Sequence, residues 1–274
     1  MDKFQVIPPS VLLAPYVRQY WFLSMENVEQ GTQRLIPFGC VSLIFHRVQE
    51  SDSLINGMLP ESCLFGQSTA YLNLVYSGTI HFISVVFQPA GASAFFKTPL
   101  KELYNQHISI RALEDPPLAE LEKRLMDISD NERCVRLIEE FLLKRMGQLE
   151  ENKYKRWGAV MESIHRRPSD IPTLAQTACL SYKQFKRVFK DYIGINPKDF
   201  LRISRFQKAS HQLQIQAQTT LTQIADECGY YDISHLIKEF KEFSGYTPGE
   251  FLSVCGPYSG YHALFRSAFM DTKC

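Results

Sequence analysis

With 274 residues and a net charge of +1, the chain is long enough for two domains of ordinary size, each with its own core. Hydrophobic residues at 45% and charged residues at 22% fall in the globular range, which argues against wholesale disorder. No apolar run approaches the ~18 residues of a membrane span, and Met1–Val17, broken by Pro8, Pro9 and Pro15, does not read as a signal peptide. The seven cysteines (40, 63, 134, 179, 228, 255 and 274) include no Cys-x-x-Cys pair, so neither a disulfide framework nor a structural zinc is expected. A reducing, cytoplasmic setting fits, and no cofactor is implied.

Charge is unevenly spread. Residues 1–150 carry 13 Lys and Arg against 17 Asp and Glu, and residues 151–274 carry 17 against 12. A basic second half hints at an anion-binding module, although a solvated basic face looks the same in sequence.

The first ~110 residues read as β. Cys40–His46 and His81–Phe87 are β-branched and aromatic runs bounded by Gly and Pro, and such short runs suggest a small barrel or sandwich. Helices follow. Leu118, Leu121 and Leu125 form one apolar stripe behind Pro116-Pro117, and Val135, Ile138, Leu142 and Met146 form another. The second stripe would either cover the β-core or make a homodimer seam. Tyr20, Trp21, Phe22, Phe45 and Phe87 are open to two readings, as a pocket lining or as plain core. His46 and His81 are not spaced as a metal site. The sequence turns polar between Gly147 and Lys155, which places a boundary near residue 150.

Beyond it the pattern is helical. Trp157, Val160, Met161 and Ile164 mark one amphipathic helix. A long helix starts at Pro197, capped by Asn196, and carries Phe200, Ile203, Phe206 and Leu213 on its inner side to about Ile215. The fold class is therefore α+β. A β-rich domain with closing helices spans residues 1–150, an all-α domain spans 151–254, and a tail follows over 255–274.

An internal repeat organises the second half. Phe189–Pro197 matches Phe240–Pro248 at an offset of 51 residues, with Phe, Lys, an acid, Gly and Pro coinciding, and Leu174-Ala175 matches Ile224-Ala225 at an offset of 50. Each copy reads as short helix, turn, second helix, a Gly that ends it and a Pro that starts the next. Ala175 and Ala225 suit the close crossing of a helix-turn-helix, and two copies are too few for a solenoid.

These residues, Leu174-Ala175 through Ser181 and Phe185, then Ile224-Ala225, Gly229-Tyr230, Ser234, Leu236, Phe240-Lys241 and Gly245-x-Thr247-Pro248, resemble the AraC/XylS DNA-binding domain over roughly 155–253. The resemblance implies two helix-turn-helix units joined by the Pro197 helix, with recognition helices in successive major grooves. The first half is similar to a group of sensor domains of such regulators. The resemblance rests on Tyr20-Trp21, Leu35-Ile36-Pro37-x-Gly39-Cys40, Phe65-Gly66-Gln67 and Phe87-x-Pro89-x-Gly91, with Phe38 where the group carries an acid. A small-molecule effector or a partner at this domain is the expected input.

The first recognition helix begins near Ser181. Phe185, Val188, Phe189 and Tyr192 form its buried stripe, and Lys183, Lys186, Arg187 and Lys190 form a cationic one. Lys and Arg pair with guanine edges or phosphate. The resemblance puts Lys183, Lys186 and Arg187 at base-facing positions, flanked by Gln184. A solvated surface helix is the plainer alternative. From Lys183 to Lys208 eight cations, Arg202 and Arg205 among them, stand against two acids, the footprint of phosphate neutralisation, and Arg205 is expected at a phosphate. The second unit differs. Asp226 to Glu250 holds six acids and only Lys238 and Lys241. Family alignment puts Ile233, Ser234, Ile237 and Lys238 at base-contact positions, with His235 beside them; the isoleucines suit thymine methyls, or an apolar patch for a partner such as RNA polymerase.

The expected function is a sequence-specific transcription regulator acting on double-stranded DNA, with no membrane role and no catalytic one. The alternative, a DNA-modifying or repair enzyme with the same module, lacks its signals: no zinc-bound cysteine cluster, Gly-x-Ser-x-Gly elbow, Walker loop or His-Glu-x-x-His helix is found.

Overall fold

Runs of β-branched and aromatic residues in the first 109 positions become seven strands in the computed structural model, which describes residues 3–47, 54–56, 61–146, 151–166, 170–215 and 219–254. The strands are β1 (Lys3–Ile7), β2 (Val17–Leu35), β3 (Ser42–His46), β4 (Leu54–Ile55), β5 (Cys63–Phe65), β6 (Leu72–Phe87) and β7 (His107–Ser109). They form one antiparallel sheet in the order β1-β2-β6-β3-β5-β7, with β4 also on β6. Period-two patterning sends Tyr20, Phe22, Leu43, Phe45, Ile83, Val85 and Phe87 to one buried face.

Two helices close that face. In α1 (Pro116–Met126), Asp115 caps by accepting from the Leu118 amide at 3.2 Å. In α2 (Asn131–Met146), Val135, Ile138 and Leu142 are buried in the same core as the strands. The second stripe therefore covers the β-core, and its residues are not free to form a dimer seam. Glu139 of α2 fastens the helix to the sheet by accepting from the Ser10 amide (2.7 Å) and the Tyr20 hydroxyl (3.2 Å). The aromatic residues named as candidate pocket lining are core instead: Tyr20, Phe22, Phe45 and Phe87 pack together, while Trp21 joins Cys40 and Val86 in a small separate cluster. Phe38 stands 6.2 Å from the Trp21 ring and packs against this cluster.

The second half is α3 (Glu151–Arg166), α4 (Ile171–Thr177), α5 (Tyr182–Ile193), α6 (Pro197–Ile215), α7 (Leu221–Glu227), α8 (Ile233–Ser244) and α9 (Pro248–Val254). α6 has the bounds expected of the long connecting helix, with Asn196 Oδ1 accepting from the Asp199 amide at 3.0 Å. One core runs through both repeat copies, and Trp157, Phe189, Ile203, Phe206, Phe240 and Phe251 lie within it. Ile36 and Ala90 from the first half join that core, so the two halves are packed together. The tail expected over 255–274 and the start of the polar boundary, 147–150, lie outside the described residues; Glu151–Lys155 is the start of α3.

Candidate DNA interface

Each repeat copy builds its second helix from local signals. α4 is capped by Asp170, whose carboxylate accepts from the Thr173 amide at 2.8 Å. The chain turns through Cys179 at φ +53, and the second copy makes the same turn with Gly229 at φ +76. Only a residue without a β-carbon takes that conformation freely. α5 then starts on a reciprocal cap. Ser181 Oγ accepts from the Gln184 amide (3.3 Å), and Gln184 Oε1 accepts from the Ser181 amide (3.2 Å). Thr220 and Gln223 repeat the device at α7, and Asp232 caps α8 by accepting from the His235 amide at 2.7 Å.

In α5, Phe185 and Phe189 are fully buried, while Lys183, Lys186, Arg187 and Lys190 are all exposed on the other side. None of the four is ion-paired among the described residues, and Lys186 Nζ lies 5.5 Å over the Tyr182 ring. They form an unspent cationic stripe, as their spacing predicts. Gln184 is exposed, but its side-chain oxygen is turned back onto the cap rather than outward. The Ser-x-x-Gln spacing was the signal for that role.

α6 corrects the simple charge count. Arg202 Nε donates to Glu239 Oε1 at 2.9 Å and its Nη2 donates to Glu242 Oε2 at 2.5 Å. Arg205 Nη2 donates to Glu239 Oε1 at 2.8 Å, and its Nη1 donates to the Gly229 carbonyl at 3.4 Å. Lys208 Nζ donates to the Glu227 carbonyl at 2.9 Å. Three of the eight cations thus face the second unit. Arg205, expected at a phosphate, is held in an internal ion pair.

Glu239 is the hub of this network and is 2% exposed. Burial opposes its ionisation, yet hydrogen bonds and charge from Arg205 and Arg202 outweigh burial and hold the carboxyl below its ordinary range. The Glu242 hydrogen bond, followed by that of Glu239, keeps Arg202 protonated beyond its usual limit. His235 Nε2 stands 3.4 Å from Glu239, and its ring meets Tyr230 edge-on, so it belongs to the same network.

The acids of the second unit are therefore largely structural. Besides Glu239 and Glu242, Asp232 caps α8, and Glu250 accepts from the Thr247 amide at 2.7 Å to cap α9. On α8, Ser234, Lys238 and Lys241 are exposed, while Ile233 and Ile237 are half-buried, with Ile237 packed against the helical core. Between the two units lies a cleft of ≈ 860 Å³ lined by residues including Tyr182, Lys198, Arg202, His235 and Lys238. It brings Lys238 to one cavity with Tyr182 and Lys198, two exposed residues that the repeat had not singled out. Their signal was position: each is within the first two residues of its helix.

Among the described residues no helix is long and apolar enough to cross a membrane, and no cluster of three or more His, Cys, Asp or Glu could hold a metal ion.

Comparison with known proteins agrees with this geometry. Residues 174–253 match a family described as a helix-turn-helix domain, and residues 5–109 match a domain of unknown function, DUF6597. The chain is 33% identical over 100 residues to an uncharacterized HTH-type transcriptional regulator of Haemophilus influenzae, covering 35% of this chain and 33% of that protein. It is 30% identical over 91 residues to the HTH-type transcriptional regulator ArgR of Pseudomonas aeruginosa, covering 33% and 27%. The chain thus spans about a third of the length of these relatives. It is also 26% identical over 160 residues to the probable transcriptional regulator LumQ of Photobacterium leiognathi, covering 55% and 64%. Among solved structures, an AraC-type regulator from Chromobacterium violaceum aligns at TM-score 0.34 and 22% identity over 36% of this chain and 90% of that one. ToxT from Vibrio cholerae aligns at TM-score 0.43 and 11% identity over 93% and 99%. Structural likeness at these scores adds no weight.

Proposed function

We propose that this chain, which carries an AraC-type helix-turn-helix domain over residues 174–253, is a sequence-specific DNA-binding transcription regulator of the bacterial cytoplasm. The observation that carries the reading is α5, where one short helix presents Lys183, Lys186, Arg187 and Lys190 exposed, and unpaired among the described residues, opposite the buried Phe185 and Phe189. Free cations on a rigid, capped helix are what major-groove readout needs. Base contacts are assigned to Lys183, Lys186 and Arg187, and phosphate contacts to Lys190 and Lys198. Ile233, Ser234 and Lys238 give the second unit a smaller share. Gln184 supports the helix start, and His235 and Arg205 hold the second unit against α6.

Residues 1–150 are read as the controlling domain, with a small molecule or a protein partner as its input. The relatives are named as regulators, and the chain is read the same way rather than as an enzyme. Selection of binding sites from random DNA by the full chain tests this. Arg187→Ala should cost ~1–3 kcal/mol of specific binding and relax preference at one base pair. An unchanged sequence preference would remove α5 from the readout.

A further inference from the structure

The two recognition helices end at repeat-equivalent glycines, Gly194 (φ +97) and Gly245 (φ +73), and both ends are touched by the first half of the chain. A Cβ on Gly194 would stand 3.0 Å from the Leu100 carbonyl oxygen and 3.4 Å from Gln67. Beside it Lys101 Nζ pairs with Asp191 Oδ1 of α5 at 2.8 Å. At the other helix, a Cβ on Gly245 would collide with the Arg34 guanidinium and stand 3.0 Å from the Tyr71 ring. A side chain at Gly194 would press on the Leu100 backbone, and one at Gly245 would displace the Arg34 guanidinium.

Arg34 makes the tighter of the two attachments. Its guanidinium lies 4.4 Å over the Tyr71 ring and 4.3 Å over the Tyr246 ring, one from each half of the chain. Its Nε donates to Asn73 Oδ1 at 2.8 Å, and its Nη1 donates to the Ser244 carbonyl, the last of α8, at 3.0 Å. A planar cation suits this place twice over. It stacks between rings, and it meets the negative end of the helix dipole. The sheet delivers it there. β2 and β6 pair in continuous register from Gln19 to Met25, then shift register twice around Val28, with Asn27 at φ +54 and Gly78 at φ +78. Such bulges bend a ribbon. Pairing resumes at Gly31 and places Arg34 opposite Asn73. The Lys101–Asp191 pair, by contrast, is 46% and 36% exposed, and surface pairs of that kind hold little.

We propose that the first half of the chain clamps both helix-turn-helix units at their repeat-equivalent C-terminal caps, and that Arg34 is the positioning residue that fixes the second recognition helix. The clamp leaves the exposed faces of α5 and α8 open to DNA, so its role is to hold α8 at a set angle rather than to block it. The consequence for DNA rests on the regulator reading above; the clamp itself does not.

Hydrogen exchange on the full chain tests the clamp without any DNA. Arg34→Ala should speed exchange at the Gly245 and Tyr246 amides about tenfold, while the Gly194 amide keeps its protection. Tyr71→Ala should do the same. Arg34→Lys, which keeps the charge but not the flat double stack, should recover less than half of the lost protection. No change at Gly245 and Tyr246, or an equal loss at Gly194, would overturn the proposal. Circular dichroism identifies a variant that fails to fold, and Arg34→Lys then carries the comparison. In a second arm, the DNA site selected by the unaltered chain is bound by Arg34→Ala, which should lose sequence preference only at the end covered by the second unit. An unchanged preference at both ends would overturn the angle-setting role. If the unaltered chain selects no site, the regulator reading fails while the exchange result still decides the clamp.

Discussion

Glu239→Gln is the most informative single substitution in the helical half. It keeps the side-chain shape and removes the charge that holds Arg202 and Arg205. Removing one partner of a buried ion pair costs about 3–5 kcal/mol, because the remaining charge is left uncompensated. Here the loss should be smaller. Arg202 and Arg205 are 25% and 24% exposed, Arg202 keeps Glu242, and Arg205 keeps the Gly229 carbonyl. About 2 kcal/mol is expected, a fall of roughly 4–8 °C in thermal midpoint for a chain of this size. The sign with pH follows from the lowered carboxyl. A carboxylate depressed in the folded state contributes its stability above the unfolded value of about 4.3 and loses it as pH falls through the folded one. The gap between Glu239→Gln and the unaltered chain should therefore be full at pH 7 and start to close below about pH 4.3. Thermal unfolding followed by circular dichroism at several pH values measures both. A midpoint change under 1 °C at pH 7, or a gap that widens on acidification, would refute the reasoning.

Other substitutions separate the remaining contributions. Lys183→Ala/Lys186→Ala should weaken base preference at the end covered by the first unit, whereas Lys190→Ala/Lys198→Ala should flatten the salt dependence of DNA binding by ~0.9 for each phosphate no longer neutralised. Ile233→Ala/Lys238→Ala should change both less, because α8 offers fewer exposed cations than α5; an equal effect would show that the second helix reads its groove as fully as the first. Cys179→Gly should raise stability by up to ~1 kcal/mol, since it relieves a left-handed residue (φ +53) where the second copy already has Gly229. A lower urea midpoint would show that the Cys179 side chain is needed where it stands.

Much of the helical half was legible because its signals are local. Ser181, Gly194 and Pro197 mark helix ends within a few residues, and the 51-residue offset repeats several of these marks. In sequence Ser181 marks a helix start and Gln184 stands beside the base-facing residues; the structure gives Gln184 a duty in the reciprocal cap instead, which the Ser-x-x-Gln spacing could have signalled. The Arg202–Glu239–Arg205 network was not legible. Its members lie 34 to 37 residues apart, and a charge count along the chain cannot tell a solvated cation from one folded against an acid. The duties of the second unit's acids were hidden for the same reason, since Asp232 and Glu250 are caps and Glu239 and Glu242 are ion-pair partners. In the first half, patterning located β3 and the last residues of β6, but the polar far half of β2 has no alternation that would announce its pairing or Arg34's reach.

The central claim is sequence-specific DNA binding by the full chain, and the competition ratio tests it most directly. Binding to the selected site is measured against random duplex of equal length at one fixed salt concentration near physiological. A preference of at least ~10³-fold for the selected site is expected. A ratio near one, with binding that merely tracks salt, would mean that the exposed stripe of α5 serves phosphate alone and would contradict the claim.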